Sequence, residues 1–376
     1  MTGARGVGGA VLVTGAHGFI GAAVAARLTA EGVEVRGVDA ARSTRHRATA
    51  TPGTAATTHG STTDPHPWAH LLEGVDTVVH TAAIVSNVAP RHRMHAVNVV
   101  GTHRVLTAAA RAGVRRFVHL SSVVVHGFDL PAWVDESHPV QVNGDAYVDT
   151  KVASEHLVLA AHAAGDIEVV VLRPGDVYGP GSRPWVVLPL TYLAAGQAIL
   201  PARGRGVFSH TYLDNLVDGV VAAIATPAAA GGVFHLTDGV ATTCADYFGR
   251  LGALVGARPR CLPSPVATAV ASATGAGLRA LHRQSELCAA SMRLLARTGS
   301  YRIHRAGAVL GYRPTVDLDT GIDRVAAWAS DVGLVPHGPA PHGAAPHGAA
   351  PHGAAPHGPA PHGPAPHGPA PAAAHR

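Results

Sequence analysis

A glycine-rich turn near the start of the chain lies between a β-branched run at residues 11–14 and an alanine-rich stretch that extends to about residue 30. A second β-branched run follows and ends at Asp39. A strand, a glycine turn, a helix and a strand ending in an acid form a dinucleotide-binding unit, because the turn brings backbone N–H groups and a helix N-terminus against the pyrophosphate. This context predicts a dinucleotide site, and disfavours the alternative of a turn without a ligand. The turn contains Gly15, Gly18 and Gly21.

Asp39 bears on which dinucleotide is bound. A carboxylate at this position accepts hydrogen bonds from both ribose hydroxyls of the adenosine half, and it repels a 2′-phosphate. The sequence therefore favours NAD. Arg42 and Arg45 follow closely and soften that preference, so NADP is retained as an alternative cofactor.

Strand-like and helical stretches alternate through the first half of the chain. Strand-like runs occur at residues 77–80, 116–120 and 168–172, and helical stretches occur at 94–112 and 147–164. This alternation implies βαβ crossovers, which place parallel strands in one sheet with helices on both faces. The predicted fold is α/β, a Rossmann doubly wound parallel sheet.

The alternation loosens after about residue 180, and the chain divides into three predicted parts. Residues 1–180 form the dinucleotide-binding domain with the catalytic residues, and residues 181–335 form a smaller, mostly helical substrate lobe partly interleaved with it. Residues 336–376 repeat Pro-His-Gly-(Pro/Ala)-Ala, which cannot bury a core and predicts a disordered tail with polyproline II character. The tail is either a solubilising segment, which we favour, or a metal-chelating histidine array. No other metal site is predicted.

The composition is that of a globular protein, with 47% hydrophobic and 14% charged residues. No apolar run is long enough for a transmembrane helix and the N-terminus lacks a signal-peptide pattern, so we expect a cytoplasmic protein. Three widely spaced cysteines predict neither a disulfide framework nor a zinc site. The formal net charge is +5, but the arginines are scattered, so we expect a small-molecule substrate and no nucleic-acid partner.

Tyr147 and Lys151 are four residues apart in a predicted helix and therefore share one face. Interconversion of a secondary alcohol and a ketone moves a proton at oxygen as a hydride moves at carbon, and a tyrosine with its ordinary pKa of about 10 is a poor base. A nearby ammonium is expected to lower the pKa of the phenol toward the working range. Lys151 is the only lysine among 29 lysine and arginine residues, which favours a special role over chance retention of a surface lysine.

Several segments resemble the extended short-chain dehydrogenase/reductase family. The turn has GxxGxxG spacing, residues 80–83 (His-Thr-Ala-Ala) resemble the fourth-strand motif, residues 98–102 (Asn-Val-Val-Gly-Thr) the fourth-helix motif, and residues 173–180 the loop beside the nicotinamide. The resemblance covers residues 10–330 and suggests a homodimer. The catalytic set that it implies is Ser122, Tyr147 and Lys151. The cofactor-binding residues that it implies are Gly15, Gly18, Phe19, Ile20, Gly21, Asp39, Ala82, Ala83, Tyr147, Lys151, Pro174 and Val177.

Four positions leave alternatives or depart from the family pattern. Ser122 ends a strand, where serines often serve only as caps. Asn98 either shapes the backbone beside the site or has a purely structural role. Ser61 stands where the family commonly has Asp, which predicts a different adenine contact, and His126 stands where it often has Tyr, which predicts a different pocket.

Residues near the catalytic set separate the reaction classes of the family. Dehydratases carry an acidic pair directly after the catalytic serine, where this chain has Val123 and Val124, so a dehydratase is largely excluded. Epimerases usually have an arginine immediately before the segment at 208–215, whereas Arg203 and Arg205 lie only near it.

Residues 211–219, 298–303 and 310–314 resemble the 3β-hydroxysteroid dehydrogenase branch instead. The predicted function is interconversion of a secondary alcohol and a ketone on a largely hydrophobic, steroid-like or alicyclic molecule. Alternatives are an NAD-dependent nucleotide-sugar epimerase and a catalytically silent dinucleotide-binding protein. The substrate-side candidates are Val85, Val123, Trp185 and His210.

Overall fold

The computed structural model of the chain describes residues 8–40, 57–283 and 285–335. Arg42, Arg45 and the predicted tail at 336–376 lie outside these residues. The described chain contains thirteen β-strands: β1 (Ala10–Thr14), β2 (Val35–Asp39), β3 (Thr57–His59), β4 (Val75–His80), β5 (Arg116–Leu120), β6 (Glu168–Pro174), β7 (Asp176–Tyr178), β8 (Ile199–Leu200), β9 (Val207–Phe208), β10 (His210–Tyr212), β11 (Val233–Leu236), β12 (Thr242–Thr243) and β13 (Arg260–Cys261).

Seven of these strands form one sheet in the order β11-β6-β5-β4-β1-β2-β3. Every pairing within it is parallel. The strand order reverses between β1 and β4, and such a reversal leaves a crevice at the carboxyl ends of the two strands, where open α/β sheets bind their ligands. This topology confirms the predicted doubly wound parallel sheet.

Eleven α-helices accompany the strands in the described part of the chain: α1 (Phe19–Ala30), α2 (Arg91–His95), α3 (Thr102–Arg111), α4 (Ala146–Ala163), α5 (Leu188–Ala194), α6 (Leu213–Ala225), α7 (Cys244–Ala253), α8 (Ser264–Ala280), α9 (Ala289–Leu295), α10 (His304–Leu310) and α11 (Leu318–Asp331). The predicted helices at 94–112 and 147–164 correspond to α2–α3 and α4. Residues 96–101, between α2 and α3, form a π-helical turn. None of the helices in these ranges is long and apolar enough to cross a membrane.

The central sheet is buried on both faces, which is usual for parallel sheets covered by crossover helices. Val11 and Val13 of β1 face one core, where they join Leu28 of α1. Leu12 between them faces the opposite core, where it joins Phe117 of β5. Because successive side chains of a strand point to opposite faces, β1 is apolar along its whole length and has no solvent-facing side.

A third core lies outside the sheet and carries α5 and α7. Phe208 and Tyr247 stack at its centre with ring centroids 3.9 Å apart, and Tyr178 packs edge-on against Tyr247. Leu190 and Leu193 attach α5 to this core. The predicted boundary near residue 180 between a dinucleotide domain and a substrate lobe stays a prediction.

Candidate active site

The glycine turn between β1 and α1 has the shape of a phosphate cradle. Gly15 adopts a φ of +72°, a conformation that favours glycine. A Cβ on Gly21 would collide with the carbonyl oxygen of Gly15, so α1 approaches the end of β1 as closely as its backbone allows. No described side chain caps the first N–H groups of α1. Uncapped N–H groups at a helix N-terminus attract anions, so the residues present fit a dinucleotide pyrophosphate.

Asp39 ends β2 beside this turn. Its Oδ2 accepts a hydrogen bond from the backbone N–H of His17 at 2.9 Å, which ties the carboxylate to the turn. Ser61, after β3, also lines the neighbouring cavity, whereas Asp64 pairs with Ser61 in an isolated β-bridge. The structure therefore brings Ser61 rather than Asp64 to the dinucleotide side of the crevice.

A single cavity of about 990 Å³ joins the glycine turn to the catalytic candidates. Its residues follow the carboxyl ends of β1, β4, β5 and β6, which is why positions distant in sequence meet here. The sequence-predicted residues that line it are Gly15, Gly18, Phe19, Ile20, Gly21, Asp39, Ala82, Ala83, Val85, Ser122, Tyr147, Lys151, Pro174, Val177 and Trp185.

Ser122, Tyr147 and Lys151 come from two elements that meet in this cavity. Ser122 follows β5, and Tyr147 and Lys151 lie one turn apart on α4. Ser122 and Tyr147 both line the cavity, and the Ser122 hydroxyl favours the ionised form of the Tyr147 phenol. Lys151 Nζ donates to the carbonyl oxygen of Leu120 at 2.7 Å and lies 5.9 Å from the centroid of the Tyr147 ring. Asp145 caps α4 and accepts from the Tyr147 backbone N–H, which orients this end of the helix.

The pKa values of the tyrosine and the lysine move in opposite directions. Burial raises the pKa of Tyr147 well above its ordinary value, and the opposing influence of the Ser122 hydroxyl offsets only part of this effect. Burial lowers the pKa of Lys151 to about 8, against an opposing contribution from the Glu155 carboxylate. The expected lowering of the tyrosine pKa is therefore not found in the protein alone, because loss of hydration outweighs the other effects on the phenol. At neutral pH Tyr147 is a protonated phenol, the form that can donate a proton to a ketone oxygen.

Lys151 can be titrated directly because it is the only lysine in the chain. We expect protein labelled with ¹⁵N- or ¹³C-lysine to give one lysine side-chain resonance, with a titration midpoint near pH 8. Since burial disfavours the ammonium, the side chain is charged below this midpoint and neutral above it. Lys151→Arg removes the resonance and confirms its assignment. A midpoint near the ordinary value of 10.5 would show that Lys151 is hydrated.

Asn98 lies in the π-helical turn and holds the loop that follows β4. Its Oδ1 accepts from the Ile84 backbone N–H at 2.8 Å, and its Nδ2 donates to the Ile84 carbonyl oxygen at 3.0 Å and to Thr150 Oγ1 at 3.1 Å. Ile84 lines the cavity, whereas the Asn98 side chain is buried behind it. Asn98 therefore has the first of the two predicted roles: its side chain holds the backbone at Ile84, beside the site.

Two substrate-side candidates lie outside the cavity. The side chain of Val123 packs into a separate apolar cluster with Tyr301, while Val124 lines the cavity, because a 3-10 turn begins directly after Ser122 and sends consecutive side chains in different directions. His210 is buried between Asp238, at 2.7 Å from its Nδ1, and the Thr242 hydroxyl, at 2.9 Å from its Nε2. Both are corrections to the predicted substrate site.

His126 also proves to be part of the interior rather than of the pocket. Its Nε2 lies 2.9 Å from His235 Nε2 and 3.2 Å from an Arg173 guanidinium nitrogen. Burial, together with the Arg173 charge, lowers the pKa of His126 to about 4. Arg173 in turn forms a two-point ion pair with Glu155 of α4, at 2.9 and 2.7 Å. This buried network connects the turn after β5 with β6, β11 and α4 behind the catalytic residues.

Three cavity features were not predicted from the sequence. The Tyr192 hydroxyl is enclosed and has no partner among the described residues. Glu286 accepts from the Ser86 hydroxyl at 2.9 Å and so joins the segment before α9 to the loop after β4. Asp176 forms a buried ion pair with Arg297. Asp176 lies within the 173–180 motif and could have been considered from the sequence. Tyr192 and Glu286 are not part of any local sequence pattern that indicates a site.

The fold and the cavity define a class of protein: a doubly wound α/β protein with a dinucleotide cradle and a serine, a tyrosine and a lysine at one crevice. The model of the NAD dependent epimerase/dehydratase family matches residues 11–236 of the chain. The chain therefore belongs to that family, and the resemblance to extended short-chain dehydrogenases/reductases is confirmed.

Known relatives and a solved structure agree with this assignment. Over 227 residues the chain is 35% identical to the 3 beta-hydroxysteroid dehydrogenase/Delta 5→4-isomerase of Mycobacterium tuberculosis, covering 58% of this chain and 60% of that relative's length. It is 32% identical over 263 residues to the decarboxylating sterol-4-alpha-carboxylate 3-dehydrogenase of Schizosaccharomyces pombe, covering 67% of this chain and 76% of the relative. A dTDP-glucose 4,6-dehydratase from Streptomyces venezuelae, solved with NAD and TYD bound, superposes with a TM-score of 0.69 at 26% identity, covering 86% of this chain and 97% of the other.

Proposed function

We propose that this protein is an NAD(P)-dependent dehydrogenase or reductase that interconverts a secondary alcohol and a ketone on a large hydrophobic, steroid-like or alicyclic molecule. The observation that carries the proposal is the meeting of Ser122, Tyr147 and Lys151 with the glycine turn in one cavity. The M. tuberculosis and S. pombe relatives, named as hydroxysteroid and sterol-carboxylate dehydrogenases, support the substrate class.

The wall of the cavity away from the glycine turn supports an apolar substrate. It is built from α5, β8, α7 and the α9 region, and each buried CH₂ of a ligand in such a wall contributes about 0.8 kcal/mol. Arg93 and Arg183 also line the cavity, so a nucleotide-sugar substrate is kept as the alternative for the experiment below. The apolar side chains of this wall include Trp185, Leu188, Leu200, Phe248, Leu287 and Leu295.

The side chains account for the proton that must move with the hydride. A bound nicotinamide ring would supply or accept that hydride at the substrate carbon. In reduction, Tyr147 gives its phenolic proton to the carbonyl oxygen, and the Ser122 hydroxyl donates a hydrogen bond to the same oxygen. The phenolate that remains is stabilised by the Lys151 ammonium. In oxidation the alcohol proton returns to the Tyr147 phenolate.

Asp39 is expected to set the preference for NAD. Replacing Asp39 with serine removes the carboxylate that repels a 2′-phosphate, so the ratio of the NADP and NAD dissociation constants should shift toward NADP by roughly tenfold or more. Calorimetric titration with both dinucleotides measures the shift. Asp64→Ser is the matched control, because Asp64 does not line the cavity. Equal effects of the two substitutions would contradict the role of Asp39.

The reaction is tested with the full-length protein and two substrate panels. One panel holds 3β-hydroxysteroids and alicyclic secondary alcohols, and the other holds UDP- and dTDP-sugars, each supplied with NAD or NADP. We expect cofactor reduction, with the matching ketone identified by mass spectrometry, only in the first panel. Conversion confined to sugars without net cofactor reduction would instead identify an epimerase. Dinucleotide binding without turnover in either panel would identify a silent binding protein.

A further inference from the structure

The solvent-facing side of α8 is apolar along its whole length. Val266 is 49% exposed, and Leu281, directly after the helix, is 73% exposed. Residues between them recur at helical spacing on one face, which is roughly 22 Å long at 1.5 Å per residue. The polar members of the helix, such as Thr268, Ser272 and Thr274, are partly buried at the sides. The exposed residues, which we call the α8 face, are Val266, Ala269, Val270, Ala273, Ala276, Gly277, Ala280 and Leu281.

Positive charge brackets the α8 face at both ends. Residues 257–283 contain four arginines and no acidic residue. Arg258 and Arg260 precede the helix and Arg283 follows it, and all three are exposed. An apolar helix face flanked by arginines matches an anionic bilayer surface, where apolar side chains enter the headgroup boundary and arginines contact lipid phosphates.

A second copy of this chain fits the α8 face less well. In a two-fold symmetric contact the same patch meets itself, either end to end or side by side. Because both ends of the face are basic, each arrangement brings Arg258 and Arg260 against arginines of the other copy. Like charges in contact disfavour such a dimer, whereas anionic headgroups satisfy both ends.

The inner side of α8 leads to the cavity. Ala267 and Ala271 pack against Met292 of α9, with Ile199 and Leu295 beside them. Met292, Ile199 and Leu295 also line the cavity. The α8 face is therefore the outer surface of the same layer whose inner surface is the apolar cavity wall.

We propose that the α8 face docks the protein on anionic membrane surfaces. Docking in this orientation places the α8–α9 wall of the cavity against the bilayer, where a hydrophobic substrate of the proposed reaction is concentrated. The docking itself depends on the α8 face and its arginines and not on the identity of the reaction.

The test is sedimentation of the full-length protein with vesicles of phosphatidylglycerol and phosphatidylcholine, compared with phosphatidylcholine alone. We expect binding to the anionic vesicles that weakens as salt is added. Val266→Glu/Val270→Glu should reduce the partition coefficient by roughly tenfold or more, and Arg258→Glu/Arg260→Glu by at least roughly fivefold per arginine. Val240→Glu/Val332→Glu is the matched control, because it adds the same two charges at exposed valines elsewhere. The wild type and all variants carry the same C-terminal repeats, so the repeats cannot cause a difference in vesicle binding between them.

Dinucleotide binding and thermal unfolding report that each variant is folded. If Val266→Glu/Val270→Glu does not fold, Leu281→Gln replaces it. Leu281 lies just beyond the end of α8, and this substitution should also reduce the partition coefficient. The proposal is overturned if wild-type protein ignores anionic vesicles, or if the α8-face variants bind them as the wild type does. It is also overturned if light scattering shows a wild-type dimer that these variants dissociate, since the α8 face would then join two copies. If neither substrate panel gives turnover, the vesicle-binding results keep their meaning, because vesicle binding is measured without substrate.

Discussion

Replacing Tyr147 with phenylalanine should reduce kcat by roughly 10²–10⁴-fold while the dissociation constant for the dinucleotide stays nearly unchanged. The substitution removes one oxygen atom from a side chain whose ring still fills its place in the cavity. The lost oxygen carries the proton that must reach the substrate oxygen, and it is the group whose pKa the Ser122 hydroxyl lowers. Steady-state kinetics on the active substrate and a dinucleotide titration measure the two quantities separately.

Tyr192→Phe is the matched control for this result. Tyr192 lines the same cavity, but its hydroxyl, unlike that of Tyr147, has no hydrogen-bond partner among the described residues. We expect this variant to keep kcat within a few fold, because the hydroxyl does not contact Ser122. Wild-type turnover by Tyr147→Phe would assign proton transfer to another group, and an equal loss in both variants would indicate a general effect on the cavity.

Glu155→Ala is expected to lower the free energy of unfolding by about 3–5 kcal/mol. Glu155 and Arg173 form a two-point ion pair with side chains only 1% and 5% exposed. Truncating the acid leaves a guanidinium charge in the interior whose remaining hydrogen-bond partners among the described residues are His126 and the backbone carbonyl of Glu136. A buried charge without its partner is costly because the lost hydration is no longer compensated. Urea denaturation of the variant and the wild type measures the difference.

An exposed ion pair supplies the control for this prediction. Asp214 and Arg324 are paired at 2.9 Å with side chains 57% and 47% exposed, so Asp214→Ala should cost less than about 1 kcal/mol. The double substitution Glu155→Leu/Arg173→Met should recover much of the loss, since it removes both charges together. A cost for Glu155→Ala as small as that for Asp214→Ala would mean that the interior accommodates the unpaired arginine, by hydration or by rearrangement.

Local sequence patterns were sufficient to predict the central sheet and the dinucleotide cradle of this protein. The apolar period of β1, β4, β5 and β6 and the glycine turn after β1 are properties of neighbouring residues, so the parallel sheet and the dinucleotide cradle could be derived from the sequence. The spacing of Tyr147 and Lys151 likewise guarantees a shared helix face once α4 forms. Ser122 required the order of several motifs, because a serine after a strand is by itself ambiguous.

Contacts between distant segments decided the rest. Val123 and Val124 are adjacent and chemically identical, and only the 3-10 turn after β5 directs one into a separate core and the other into the cavity. His210 has the residue type of a site but is held inside by Asp238, from a segment 28 residues away.

The electrostatics of the site depended on burial in the same way. The pKa of Tyr147 rises because neighbouring segments exclude water from the phenol, a property that no spacing of residues expresses. The pairing of Glu155 with Arg173 required β6 to lie against α4. Which elements form and which chemical groups they carry depends on residues close together in the chain, so both could be predicted from local patterns. Which groups meet, which lose water and which face the cavity depends on segments that are brought together only when the chain folds, so these properties required the three-dimensional structure.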